Sequence, residues 1–518
     1  MGQTERRQVQ KKLRRWLSTA PDEAFFDLCW AVNALQTGRE DEARRFIAYP
    51  LGAATPRFES KFSIYPWEIE TLLGELLLTE KFTPRDGANR ILNVGNFGGL
   101  ATLVRILRKL ENEESGIYLK RVSILDELHR IAQREFPWQS GYFNVVQFYR
   151  NAFVYGGSKC GEYFERLHGL TQNQFSLVGF ATYMHFMRQP AYGGRLNLLS
   201  VGVSAETCDA AFRLFCAPLT TVRSKYTRDF EDVRARWGFI PSVAYRPSVF
   251  RQFPVVETSN SMFRSPLPEL ILQRVTSGIY YDLTGGGQAL RNEASGRFEL
   301  YCENLCRQLM PSLLVQPEKI YRVSGQEFRS PDVLLSRRGQ LALAIECKAS
   351  KLNLDAQYSE DPAFVAEDGY KQLAKGAYQV WRYFSHIRRG IVQAEIDAEA
   401  HGLVLTLDAW LLMSRGLRSE VLRMADAMAA DDPGISEADK RPVVFSAVKD
   451  FEQTLMESDE AGFFESVRHA ATESFTGWLL PGVHREIGGK IIEKEYPFHL
   501  RDVLPWVDDL EEMKSGRL

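Results

Sequence analysis

No stretch of this chain approaches the roughly 20 consecutive apolar residues that cross a bilayer, and its first residues lack the apolar core of a secretory leader. A membrane span and a secretory route are therefore not expected, and a cytoplasmic location is. Met1-Gly2 opens like a myristoylation signal, but Arg6 stands where Ser or Thr is needed. Cysteine is scarce: the seven residues Cys29, Cys160, Cys208, Cys216, Cys302, Cys306 and Cys347 are odd in number, scattered and without a C-x-x-C pair, which argues against a disulfide framework or a zinc site. A charge bias is also missing. With 64 Lys and Arg against 66 Asp and Glu, the net charge of -2 requires any nucleic-acid-binding surface to be local. Repeats and low-complexity tracts are absent, so a solenoid is not expected. Neither Gly156-Gly157-Ser158-Lys159-Cys160 nor Gly285-Gly286-Gly287 is followed by the Lys-Ser/Thr of a phosphate-binding loop, and no ATP-driven motor is expected.

What is present is length. At 518 residues, 45% hydrophobic and 25% charged, the chain has a globular composition and exceeds what one ordinary core supports. Helical periodicity dominates the first half, over 22–35, 66–79, 100–111, 123–135 and 171–188, the last with His185 on an apolar stripe that reads as packing. The segment 4–17 carries Arg6, Arg7, Lys11, Lys12, Arg14 and Arg15, either a solvated helix face or a contact for phosphates or an acidic surface. From about Trp237 the texture changes to short, Pro-punctuated apolar runs. The expected division is a mainly α-helical region over 1–236 for recognition or regulation, a connector with short strands over 237–295, an α/β unit over 296–450 and a mixed extension over 451–518.

The chemistry concentrates in RSPDVLLSRRGQLALAIECKAS, residues 329–350. The run 341–345 reads as a buried strand that ends in Glu346-Cys347-Lys348, and period-2 alternation sends Glu346 and Lys348 to one face. Pro331-Asp332 opens a second apolar run, with the turn-like Arg337-Arg338-Gly339-Gln340 between the two. Paired as a hairpin, the runs bring Asp332 to the same sheet end as Glu346 and Lys348. Two carboxylates suit a hard divalent ion such as Mg²⁺, which takes oxygen ligands, and the Cys347 backbone carbonyl is a further candidate oxygen. An ammonium beside them could orient a water or offset charge, so hydrolysis of a phosphodiester is a chemistry this set can support. The alternatives are a turn cap for Asp332, a surface ion pair for Glu346 with Lys348, and simple packing for the Cys347 side chain.

Asp332 followed by Glu346-x-Lys348 at the end of an apolar strand resembles the PD-(D/E)XK nuclease superfamily, with Pro331 also in place. The resemblance covers about 296–445 and leaves the helical half unmatched. It implies a restriction-endonuclease-like αβββαβ core, that is, a helix over 296–309, an extended segment over 313–323, the two strands, a helix over 369–387 and a strand over 403–407. Two further features resemble the RecB-like branch: Glu299 in the first helix, and Gln379-x-x-x-Tyr383 in the second. The resemblance implies Asp332 and Glu346 as metal ligands, Lys348 as the catalytic lysine, Glu299 as an auxiliary acid, and Gln379 and Tyr383 as placing substrate or lysine. Glu303 remains an alternative to Glu299, and Gln372 or Lys375 to the second pair.

It also implies Mg²⁺ as cofactor, with Mn²⁺ able to substitute, and DNA as partner; Arg329, Arg337, Arg338, Lys351, Lys371, Lys375 and Arg382 surround the expected site and either supply its phosphate-binding footprint or simply solubilise exposed turns and faces. The expected function is thus a metal-dependent deoxyribonuclease, a stand-alone effector in bacterial anti-phage defence. The alternatives are an RNA-directed nuclease and a catalytically inactive nuclease fold that binds or recruits. The helical region is the candidate for homo-oligomer or protein contacts.

Overall fold

The computed structural model describes residues 2–55, 60–82, 92–119, 124–194, 196–237, 240–352, 354–359, 362–411 and 414–508. The protein is mixed α/β, helical through most of its first half, with its larger sheet in the second. Helices occupy Gly2–Leu17, Asp22–Gln36, Pro66–Leu77, Phe97–Tyr118, Ile124–Ser140, Val145–Tyr155 and Gln172–Phe186, among others. Their starts are chemically marked. Asn96 and Asn144 accept backbone N–H bonds from the first turns they precede, and Thr171 forms a reciprocal capping box with Gln174. The basic first helix is a packed element: Leu13 and Leu17 are buried, while Arg6 and Arg14 are engaged by Glu114 and Glu75. His185 sits against the Tyr192 ring and beside Gln189, in line with a packing role.

Four very short strands interrupt the helical half: β1 (Ala191–Tyr192), β2 (Cys216–Pro218), β3 (Val255–Glu257) and β4 (Phe263–Arg264), in the order β1-β4-β3-β2. The larger sheet follows. Its strands β5 (Leu314–Pro317), β8 (Val333–Arg337), β9 (Gln340–Lys348), β10 (Glu395–Thr406) and β11 (Val443–Ala447) lie in the order β11-β10-β9-β8-β5. Two more, β6 (Ile320–Val323) and β7 (Gln326–Arg329), form a separate hairpin. The pairs β5/β8 and β8/β9 are antiparallel, and β9/β10 and β10/β11 are parallel.

The β8–β9 hairpin closes through Arg338 and Gly339, with φ of 53° and 84°, and the β6–β7 hairpin through Ser324 and Gly325, with φ of 49° and 85°. Positive φ at both central residues is the tight-hairpin conformation that matches strand twist, and glycine adopts it without steric cost. The turn thereby fixes the register Val333↔Ile345 and Arg337↔Gln340, apart from one irregularity at Leu335/Ser336.

Alternation along β8 and β9 divides the core. Val333, Leu335, Leu343 and Ile345 join Phe298 and Leu305 of the helix Gln288–Leu309 on one face. Leu334, Leu341 and Ala344 pack on Val380, Tyr383 and Phe384 of the helix Glu367–Arg388 on the other. The first of these clusters runs from Val9 to Trp506, so helical half and sheet share one core. Polar ties cross it as well. Trp506 donates its indole N–H to Ser176 Oγ at 2.8 Å, and the Arg150 guanidinium is ion-paired with Glu452 across 302 residues of sequence.

Candidate active site

The β8–β9 hairpin brings Asp332, Glu346 and Lys348 together at the end of the sheet remote from its turn. Asp332 immediately precedes β8, and its Oδ2 accepts the Cys347 backbone N–H at 2.6 Å, taking the place of a ladder partner. Because a strand residue's N–H and C=O project to the same neighbour, the Cys347 carbonyl points past the end of β8 beside Asp332. Glu346 is 3% exposed. Its Oε1 accepts from Lys348 Nζ at 2.8 Å, whereas its Oε2 is buried without a hydrogen-bond partner.

The helices on either face complete the arrangement. Glu299, half-buried on the helix Gln288–Leu309, lies close enough for its charge to act on Asp332. From the opposite side, Gln379 Oε1 stands 3.4 Å from Lys348 Nζ. This approach depends on Gly376, where an added Cβ would lie 3.2 Å from Val404 Cγ2 and 3.3 Å from both Glu346 Cγ and Lys348 Cε. A glycine inside a helix costs stability relative to alanine, and here it permits close contact with the strand. Gly376→Ala is expected to displace the Lys348 tip by a few tenths of an ångström while altering the melting temperature little, a comparison made by a structure of the variant and parallel melting measurements.

The electrostatics are those of buried carboxylates grouped around one ammonium. Burial, followed by the charges of Glu346 and Glu299, holds Asp332 well above the usual carboxylate range. Burial and the carboxylates of Glu318 and Glu346 raise Glu299. Glu346 is raised by burial, with Lys348 opposing the shift. Lys348 moves the other way from a buried amine: burial works to lower it, yet Glu346 and Asp332 prevail and keep it protonated. The Cys347 side chain points to the opposite face, where contact with Cys302 and burial push its thiol far up, leaving it a neutral packing group.

Several expected participants lie elsewhere. Tyr383 is 2% exposed and packs with Leu334, Leu341 and Ala344 beside the Tyr321 ring. It sits one helical turn, about 5.4 Å, beyond Gln379, which carries it along the sheet and away from the acids. Arg337 and Arg338 lie at the hairpin turn, roughly 15 Å from the site by strand length, and Arg337 pairs there with Asp397 at 3.0 Å. Lys351 is buried against the helical half, donating to the Ser277 carbonyl at 3.0 Å. Lys371 pairs with Glu367 at 2.7 Å at the start of its helix, and Lys375 is exposed on the same helix. Glu303 is engaged by Arg307. Only two of the seven cations stand at the acids. Arg329 pairs with Glu318 at 2.8 Å, and Arg382, whose charge acts on Glu346, lies over the rings of Phe328 and Tyr378.

Glu318, in the link between β5 and β6, is the acidic neighbour that sequence reasoning missed. The local signal was Pro317, which ends β5 and turns the chain toward the site. Gly376 was legible in principle as a glycine within a helical pattern. Among the described residues no three His, Cys, Asp or Glu side chains converge as a ready metal cage. The donor set is two carboxylates and a backbone carbonyl, with the partnerless Glu346 Oε2 directed at no protein group. That set fits an ion such as Mg²⁺, which retains several waters and needs only one or two carboxylates. Comparison of the chain with protein-family models, curated proteins and solved structures finds no match.

Proposed function

We propose that the protein is a metal-dependent nuclease that hydrolyses DNA phosphodiester bonds, built on a restriction-endonuclease-like core comprising the helix Gln288–Leu309, β5, β8, β9, the helix Glu367–Arg388 and β10. The observation that carries this reading is the buried Glu346, with one oxygen on Lys348 and the other without a partner, next to Asp332 at a strand end. Asp332, Glu346 and the Cys347 carbonyl would hold Mg²⁺ or Mn²⁺. When bound, the ion supplies Lewis-acid charge and lowers the pKa of water. Lys348 stays cationic next to the acids, where it offsets charge building on phosphoryl oxygens and orients the attacking water. Gln379 keeps its ammonium in place, and Arg329 and Arg382 are the cations nearest to incoming phosphates. Glu299 and Glu318 add negative charge at the rim, which strengthens attraction for a cation.

Incubation of the purified protein with plasmid and linear DNA in Mg²⁺ or Mn²⁺ tests this reading. Cleavage that EDTA stops is expected, and Lys348→Ala should abolish it without loss of fold. Tight DNA binding with no cleavage under either metal would instead support a recruitment protein, and cleavage of RNA alone would replace the substrate. Phage resistance on expression, lost with Lys348→Ala, tests the effector role. No helix among the described residues is long and apolar enough to cross a membrane.

A further inference from the structure

A second site lies between the two halves. A cavity of about 920 Å³ opens at the carboxyl ends of β9, β10 and β11, where Lys351, Asp408 and Ala447 form its floor. Its walls come from the helical half through residues 133–151, 247–252 and 273–282, and from residues 478–485. None of Asp332, Glu346, Lys348 or Glu299 lines it. Small-molecule sites occupy roughly 300–1,000 Å³, and crevices outside the carboxyl ends of parallel strands are where α/β sheets place ligands.

The lining has a definite chemistry. Seven Lys or Arg face it with four Asp, seven Gln and one Asn; Arg150, Arg251 and Arg485 are paired with Glu452, Glu70 and Glu457 outside the lining, and Lys225, Arg274 and Lys351 with Asp229, Asp282 and Asp408. Among the described residues Lys449 has no carboxylate within ion-pair distance, and its ammonium donates only to Ser140 Oγ. Two large rings are left half in solvent at the same place: Trp478 is 48% exposed and Tyr281 47%. Cations and carboxamides recognise phosphate and polar ring edges, exposed aromatic faces stack on planar bases, and Asp carboxylates accept sugar hydroxyls.

We propose that this cavity binds a phosphorylated nucleoside, with Lys449 on the phosphate, carboxamides of the wall on polar groups of the base, Asp408 or Asp450 on the sugar, and Trp478 stacked on the base. The site belongs to the interface between the helical half and the sheet. Its occupancy therefore links a ligand to the relative placement of the sheet edge that also carries Glu346 and Lys348. Binding itself is independent of the nuclease reading.

Titration of the full-length protein in EDTA with AMP, ATP and a 5′-phosphorylated oligothymidylate, followed by quenching of tryptophan fluorescence and by calorimetry, tests the proposal. Saturable binding is expected, weakened about tenfold or more by Lys449→Ala and by the solvent-exposed Trp478→Ala, with melting temperatures unchanged. Asp332→Asn should leave it intact, which separates this outcome from any failure of the phosphodiester chemistry. Binding of AMP or ATP identifies a free nucleotide as the ligand. Binding of the oligonucleotide alone identifies the end of a strand. Failure of all three to bind, or affinities that neither Lys449→Ala nor Trp478→Ala changes, would overturn it.

Discussion

Asp332→Asn is expected to slow metal-dependent DNA cleavage by roughly 1,000-fold or more and, in EDTA, to melt at a higher temperature than the wild type. Both effects follow from one arrangement. Burial and the adjacent carboxylates raise the Asp332 pKa in the folded state. Between the unfolded and the raised value, the folded chain holds a proton that the unfolded chain has lost. Stability therefore falls as pH rises through that window, and the penalty is fully present above it. Asparagine removes the penalty while retaining an oxygen for the Cys347 N–H. Millimolar Mn²⁺ should remove it in the wild type by a different route, adding about 2.7 kcal/mol at a hundred times its dissociation constant, and should leave the Asn variant unmoved. Thermal melts from pH 5 to 8, with EDTA and with Mn²⁺, measure all of this. A wild-type protein whose melting temperature ignores Mn²⁺ at every pH would remove the metal site.

The second large effect concerns the join between the halves. Arg150→Ala should cost about 3–5 kcal/mol, because it strands a buried Glu452. Glu452 is 2% exposed, and its remaining partner is the Tyr301 hydroxyl at 2.5 Å. The double variant Arg150→Met, Glu452→Met should recover most of that loss, since Tyr301 keeps the Tyr496 hydroxyl at 3.0 Å. Denaturant unfolding of the two variants gives the comparison. Equal destabilisation by the single and the double change would mean that packing, rather than the uncompensated charge, sets the cost.

The elements around Glu346 were legible because each has a strong local signature. The apolar run ending at Lys348, the Arg338-Gly339 turn and the amphipathic helix over Gln379 announce their own conformations, and the hairpin register then places Asp332. The observed helix Gln288–Leu309 begins eight residues before the expected 296–309, and β10 begins at Glu395 rather than near 403, ahead of a break in pairing between Ile396 and His401. That polar lead-in has no apolar alternation to betray it. Glu318 was hidden for a related reason, as it reaches the acids through a two-residue link between strands. Tyr383 was misplaced because i,i+4 spacing reports a shared face and not how far along the sheet that face has travelled. β3 and β4 fall within the stretch 237–295 where short strands were expected and pair across a short local link, whereas β1 and β2 are too brief for periodicity to show and are joined to them from distant segments.

The bond from Trp506 to Ser176 carries a consequence for biogenesis. Trp506 belongs to the same core cluster as Val9 and Phe298, so a ribosome-bound chain displays all the acids of the site well before it owns the side chain that seals that core. Completion of the core therefore rests on contacts of very high sequence separation and is correspondingly slow. A nascent chain keeps part of those apolar faces uncovered until residues near 506 emerge.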